Sequence, residues 1–215
     1  MNTNSNLTSN ATSLFRGSSL SQKSRRLNDF DDIPPWRFLS FGWKWAIDVL
    51  LKEAKTGVCS SDCCYPVLYV FRQYLEIKLK ELIITLELNL HSKKIDEDKL
   101  KAQYGHNIKK LWDYCDKLLM EWLSNLESEK DDSECNSRNL EDFKRVKLYI
   151  NEIYEKDPQS FAYRYPQIAK KYTVDLNHFY ENAMWVSEYL EGVSDWIETI
   201  QDLENECCAN FDGEY

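Results

Sequence analysis

Apolar side chains in this chain recur every three or four positions, the spacing that gathers them on one side of an α-helix. The cleanest stripe is Leu68, Phe71, Leu75, Leu79, Leu82 and Leu86, which predicts a helix over about 66–90. Ile108, Leu111, Trp112, Cys115, Leu118, Leu119, Trp122 and Leu126 predict another, opening near Gly105-His106-Asn107. Phe143, Val146, Ile150 and Ile153 predict a helix over 139–156. It is ended by Asp157-Pro158, because the residue before a proline avoids the helical region. The last stripe runs from Leu176 through Phe179, Ala183, Val186, Leu190, Val193 and Ile197 to Leu203, with Asp175 as its N-cap and Gly192 as a place to kink.

Ahead of these, Asp31-Asp32-Ile33-Pro34-Pro35-Trp36 carries a helix-start signal of acids followed by proline. It opens a helix over 35–55 that is rich in aromatics: Trp36, Phe38, Phe41, Trp43 and Trp45. No segment alternates with the period of two that a half-buried strand needs. The predicted fold is an all-α bundle of about five helices. Residues 1–30, rich in Ser and Asn, read as a disordered arm; 31–208 read as one domain and 209–215 as a tail. Residues 91–104 and 128–138 read as polar connections.

Composition sharpens this picture. Gly and Pro number only 6 and 5 in 215 residues, so turns are few and long elements are favoured. No apolar run approaches the ~20 residues that span a bilayer, and the first 30 residues lack the apolar core of a secretory signal. The expected setting is therefore cytoplasmic, with no membrane contact. Seven cysteines, an odd number, fit reduced intracellular thiols better than a disulfide framework. Cys59-x3-Cys63 is half of a zinc pattern, so no metal is expected.

Charge is unevenly placed. The net value is −9, yet from Asp175 onward there are eleven acids and no Lys or Arg. The acidity belongs to the last helix, and the chain as a whole lacks the basic footprint of a phosphate-backbone binder. Two local exceptions exist: Arg16, Lys23, Arg25 and Arg26 near the N-terminus, and Lys93, Lys94, Lys99, Lys101, Lys109 and Lys110, a candidate contact for RNA or an acidic partner.

Phosphate-cradling glycine loops and HExxH pairs are absent, so neither a nucleotide cofactor nor a metal is implied. The constellation with chemical potential is Arg72 and Glu76, one helical turn apart beside the apolar stripe, together with His106. A buried Arg beside a carboxylate ordinarily fixes helix register. The histidine could serve as an acid or base near neutrality.

These residues also carry a resemblance. Tyr65-Pro66-Val67-Leu68-Tyr69-Val70-Phe71-Arg72-Gln73-Tyr74-Leu75-Glu76-Ile77-Lys78-Leu79-Lys80, then Gly105-His106-Asn107-Ile108-Lys109-Lys110-Leu111-Trp112, then Phe161-Ala162-Tyr163-Arg164-Tyr165-Pro166 resemble, in order, three signatures of the HEPN superfamily of helical bundles. The resemblance covers about 65–166. It implies Tyr163, Arg164, Tyr165 and Pro166 as a structural turn before the final helix. Many HEPN proteins are metal-independent ribonucleases whose signature is Arg, four to six residues, then His, with the site formed at a dimer interface. Here none of His91, His106 or His178 follows an Arg at that spacing, and Arg72-Gln73 stands where relatives often show Arg-His.

This departure points to the non-catalytic branch of the superfamily. The expected role is association as a homodimer or with a protein partner, in bacterial anti-phage or toxin–antitoxin defence. A divergent ribonuclease using Arg72, Glu76 and His106 is the alternative.

Overall fold

The computed structural model describes residues 35–56, 63–92, 94–95, 97–127, 134–165 and 173–211. The expected N-terminal arm over 1–30, Lys93 and Pro166 lie outside them. Six helices and no strand are present among the described residues: α1 (Pro35–Lys55), α2 (Cys64–His91), α3 (Glu97–Tyr104), α4 (Ile108–Glu127), α5 (Glu134–Lys156) and α6 (Leu176–Phe211). None is long and apolar enough to cross a membrane.

The all-α expectation stands, and the count of about five becomes six. The extra element, α3, has a single buried apolar side chain, Leu100, so it leaves no stripe in the sequence. Helix α5 also starts five residues earlier than expected, at Glu134, inside the stretch read as a linker. At the other end, α6 runs on to Phe211, into the stretch read as a tail.

Helix α2 is the axis of the bundle, with α1, α4 and α6 packed around it, α5 lying on α4, and α3 capping α4. A helix packed by three neighbours buries most of its surface. On α2 that includes Arg72, Glu76, Lys78, Lys80, Glu81 and Glu87, all buried beside Leu75, Leu79, Leu82 and Leu86. Charges at such positions are tolerable only when paired, and this requirement shapes the centre of the molecule. The apolar core is continuous, from Ile47 and Leu51 of α1 through Trp112 and Leu119 of α4 to Val186, Leu190 and Ile197 of α6.

Asp175 caps α6 as expected, its Oδ1 accepting the backbone N–H groups of Asn177 at 3.0 Å and His178 at 3.1 Å. The turn before it, residues 161–165, buries one aromatic side chain. Only Tyr163 of its three aromatics is buried, whereas Phe161 and Tyr165 are exposed. Arg164 folds back to donate to the Ser160 carbonyl and lies 4.8 Å from the Phe161 ring centre. Gln73 of α2 donates to the Ser160 hydroxyl at 2.9 Å, which fastens the turn to the central helix.

The expectation of reduced thiols fails at one position. Cys63 is disulfide-bonded, while Cys64 and Cys115 are free.

Candidate functional site

The three residues singled out from sequence meet at one place, and the backbone there explains how. Helix α3 ends at Gly105, whose φ of +53° is the left-handed conformation that glycine adopts without strain. Its N–H bonds the Lys101 carbonyl at 2.9 Å. Two residues on, the Asn107 side chain accepts the Lys110 N–H at 3.0 Å and so caps α4. His106 sits between the two caps.

The central helix then grips His106 twice. Arg72 donates from Nη2 to the His106 backbone carbonyl, and Glu76 Oε1 lies 2.9 Å from His106 Nδ1. The remaining bonds close around Glu76: Arg72 Nη1 donates to Oε2 at 3.0 Å, and Lys80 Nζ to Oε1 at 2.7 Å. The face of Trp36, from α1, covers Lys80 with its ring centre 5.8 Å from Nζ.

Burial divides this cluster into a sealed part and an open part. Arg72 is 0% exposed, and Glu76 and Lys80 are buried. The His106 side chain is 65% exposed. For Glu76, burial pulls its acidity upward, but the bond and charge of Lys80, then the charge of Arg72 and the bond from His106, outweigh it and hold the carboxyl below the ordinary glutamate range. Glu76 is thus an anion at neutral pH that orients an exposed imidazole through Nδ1. Orientation of a histidine by a carboxylate is the geometry of a general acid–base pair. The arginine cannot join in that chemistry, because a guanidinium sealed between Glu76 and a backbone carbonyl presents nothing to an approaching phosphate.

The described lysines of the candidate RNA contact lie at the surface, and two of them are near carboxylates. Lys94, Lys99, Lys101 and Lys110 are exposed. Lys109 is paired with Asp113 at 2.9 Å, and Lys101 lies 3.8 Å from Asp98. The acids of α6 are likewise partly consumed inside the fold. Asp195 and Glu198 pair with Arg37 of α1, and Glu191 takes Lys78 at 2.7 Å.

Two further clusters were not legible in sequence. On the opposite side of α2, Lys78 also bonds Glu81 at 3.0 Å, Tyr74 donates to Glu191 at 3.0 Å, and Ser194 donates to Glu81 at 2.9 Å. This network cross-links α2 to α6, and its burial and carboxylate neighbours push the Tyr74 hydroxyl well above its ordinary acidity range. Near the end of α2, His91 lies between Glu87 and Glu121, and Tyr114 donates to Glu87. No group of acids, histidines and cysteines suited to a metal ion occurs among the described residues.

The outer face of α1 is the other notable surface. Ser40, Ile47, Leu51 and Ala54 face the core. Phe38, Phe41, Trp45 and Val49, at helical spacing on the opposite side, are exposed, Trp45 at 70%. Gly42 lies in the same stripe, with open space where a Cβ would stand.

No family model, curated protein or solved structure matches this chain.

Proposed function

We propose that this chain is a non-catalytic, HEPN-like bundle that acts by association, and that a second copy docks on the outer face of α1. The observation that carries the reading is the exposed stripe of Phe38, Phe41, Trp45 and Val49, on a helix whose other face already fills the core. Large exposed apolar side chains grouped on one element mark interaction sites. Aromatics are the commonest anchors of such sites.

The stripe suits a second copy for two reasons. Trp45 projects beside the bare backbone of Gly42, so two antiparallel α1 helices related by a two-fold axis can each seat a knob in the other's notch. The rim carries both signs, Lys44 with Asp48 and Lys52 with Glu53, as self-pairing needs and a polyanion does not. By the resemblance, such a protein works in bacterial anti-phage or toxin–antitoxin defence.

One helix face is smaller than a standard interface of about 800 Å² per partner, so the pairing is weak and concentration-dependent. Light scattering across a dilution series tests it. The full chain is expected to pass from twice the monomer mass to the monomer mass on dilution. Trp45→Ser is expected to stay monomeric with unchanged helical circular dichroism. A wild type that is monomeric at every concentration, or a Trp45→Ser variant that dimerises equally well, refutes the docking face.

One observation favours a second reading, a divergent metal-independent ribonuclease: the exposed His106 ring is oriented by Glu76. In that reading His106 transfers protons, Glu76 positions it, Lys109 and Lys110 hold the RNA backbone, and Arg72 holds the loop. RNA cleavage in the presence of chelator, lost in His106→Gln at unchanged melting temperature, would establish it. Absence of cleavage by the folded wild type removes it.

A further inference from the structure

Where the last turns of α5 diverge from the first turns of α6, the fold leaves a cavity of about 300 Å³. Its floor is the beginning of α2, Leu68 and Phe71, together with Ile153, Ala183 and Val186. A well-packed core has few voids larger than one water, and apolar cavities smaller than this take up benzene-sized guests. The gap follows from how α5 and α6 are spaced. Higher up they touch through ring pairs, Phe143 with Tyr189 at 5.8 Å and Tyr149 with Trp185 at 6.3 Å, and these hold the helices a ring's thickness apart. Below Tyr149 the two helices border the cavity, α5 through Glu152, Ile153 and Lys156 and α6 through His178, Phe179 and Asn182.

The lining selects a chemical class. Phe71, Phe179, Tyr149 and Tyr163 border the cavity, and Phe71 meets Phe179 edge to face at 5.4 Å. A flat aromatic guest can repeat that contact with each ring. At the rim Lys156 lies 3.9 Å from Glu152 and the Asp175 carboxylate is engaged by the α6 cap, so the rim charges are already paired or bonded and the guest need carry none. The polar end is at His178 and Asn182. Tyr149 donates to Asn182 Oδ1 at 2.5 Å, which fixes the amide with its nitrogen toward His178. That nitrogen donates to the His178 carbonyl at 2.8 Å and to ring Nε2 at 3.1 Å. An amide nitrogen only donates, so Nε2 accepts and the ring proton sits on Nδ1. The imidazole, which lines the cavity, therefore carries one N–H donor, on Nδ1.

We propose that this cavity is a binding site for a small, uncharged aromatic molecule carrying one hydrogen-bond acceptor, such as a phenol. The guest would lie among Phe71, Phe179 and Tyr163 and take its hydrogen bond from His178. This site is independent of the α1 face and of the cluster around Glu76.

Phenol and toluene, alike in size and different in one hydroxyl, are the probes. Titration calorimetry with the full chain is expected to show saturable binding of phenol at one site. The melting temperature should rise with phenol concentration, since a ligand that binds only the folded state stabilises it. His178→Leu is expected to weaken phenol about threefold to tenfold, the worth of one neutral hydrogen bond, and to leave toluene unchanged. Ala183→Phe places a ring in the cavity and should abolish binding of both. Should that variant fail to fold, Ala183→Leu fills less space and is expected to weaken both probes. The proposal is overturned if wild type shows no saturable binding of either probe, or if folded cavity-filling variants bind both as well as wild type. Equal weakening of phenol and toluene by His178→Leu would overturn the assigned hydrogen bond.

Discussion

Replacing Arg72 with methionine separates an architectural arginine from a catalytic one. The substitution keeps most of the side-chain volume and removes the guanidinium. In the wild type that group is fully buried and donates to Glu76 and to the His106 carbonyl. Removing one member of a buried ion pair costs about 3–5 kcal/mol, because the partner is left charged and undersolvated. Glu76 still has Lys80 and the His106 ring, so the lower end applies, about 3 kcal/mol. For a chain of 150–250 residues that corresponds to a fall in melting temperature of about 6–12 °C. Urea unfolding gives the free energy, and calorimetry gives the melting temperature. The variant Arg72→Met with Glu76→Leu and Lys80→Met removes every charge of the central cluster together. It should recover to within about 1 kcal/mol of wild type, since well-packed apolar replacements of buried ionic groups are often neutral. A single variant that loses less than about 1 kcal/mol would refute the sealed ion pair. So would one that loses RNA cleavage while keeping wild-type stability.

Three further outcomes follow from the same structure. Glu76 has a lowered folded-state acidity, so its stabilisation is fully present above the ordinary glutamate value of 4.5 and is lost as pH falls through the lower folded value. The stability gap between wild type and Glu76→Gln, read by urea unfolding, should hold above that pH and close below it; a gap that widens on acidification contradicts the assignment. Burial pushes the Cys115 thiol far above its usual range, so it should resist alkylation in the native protein. Peptide mass mapping should find it modified only after unfolding. Asp175→Ala removes two cap bonds from α6 and should cost about 1 kcal/mol, with Asp175→Asn recovering most of it; equal stability of all three would show that the cap is idle.

Most of the secondary structure was readable from one dimension because it depends on spacing alone. Apolar residues three and four apart, a capping aspartate and a proline after Asp157 act within a turn or two of chain, so α1, α2, α4 and α6 fall close to where the pattern puts them. Helix α3 escaped because a short helix with one buried leucine has no stripe to show. The front of α5 escaped because polar residues suit a helix and a linker equally well.

The candidate site was half legible. Sequence placed Arg72 and Glu76 one turn apart at the edge of a buried stripe, and that relation survives as a 3.0 Å ion pair. It could not say that α2 would be packed by three other helices. That enclosure, produced by α1, α4 and α6 closing around one helix, seals Arg72 and leaves His106 in the open. It also forces Lys78 and Glu81 into a second internal network with a helix more than a hundred residues away. Local spacing determined which residues share a helix face. Only the packing of distant helices decided which faces water can reach, because burial depends on every neighbour in space and not on the residues adjacent in the chain.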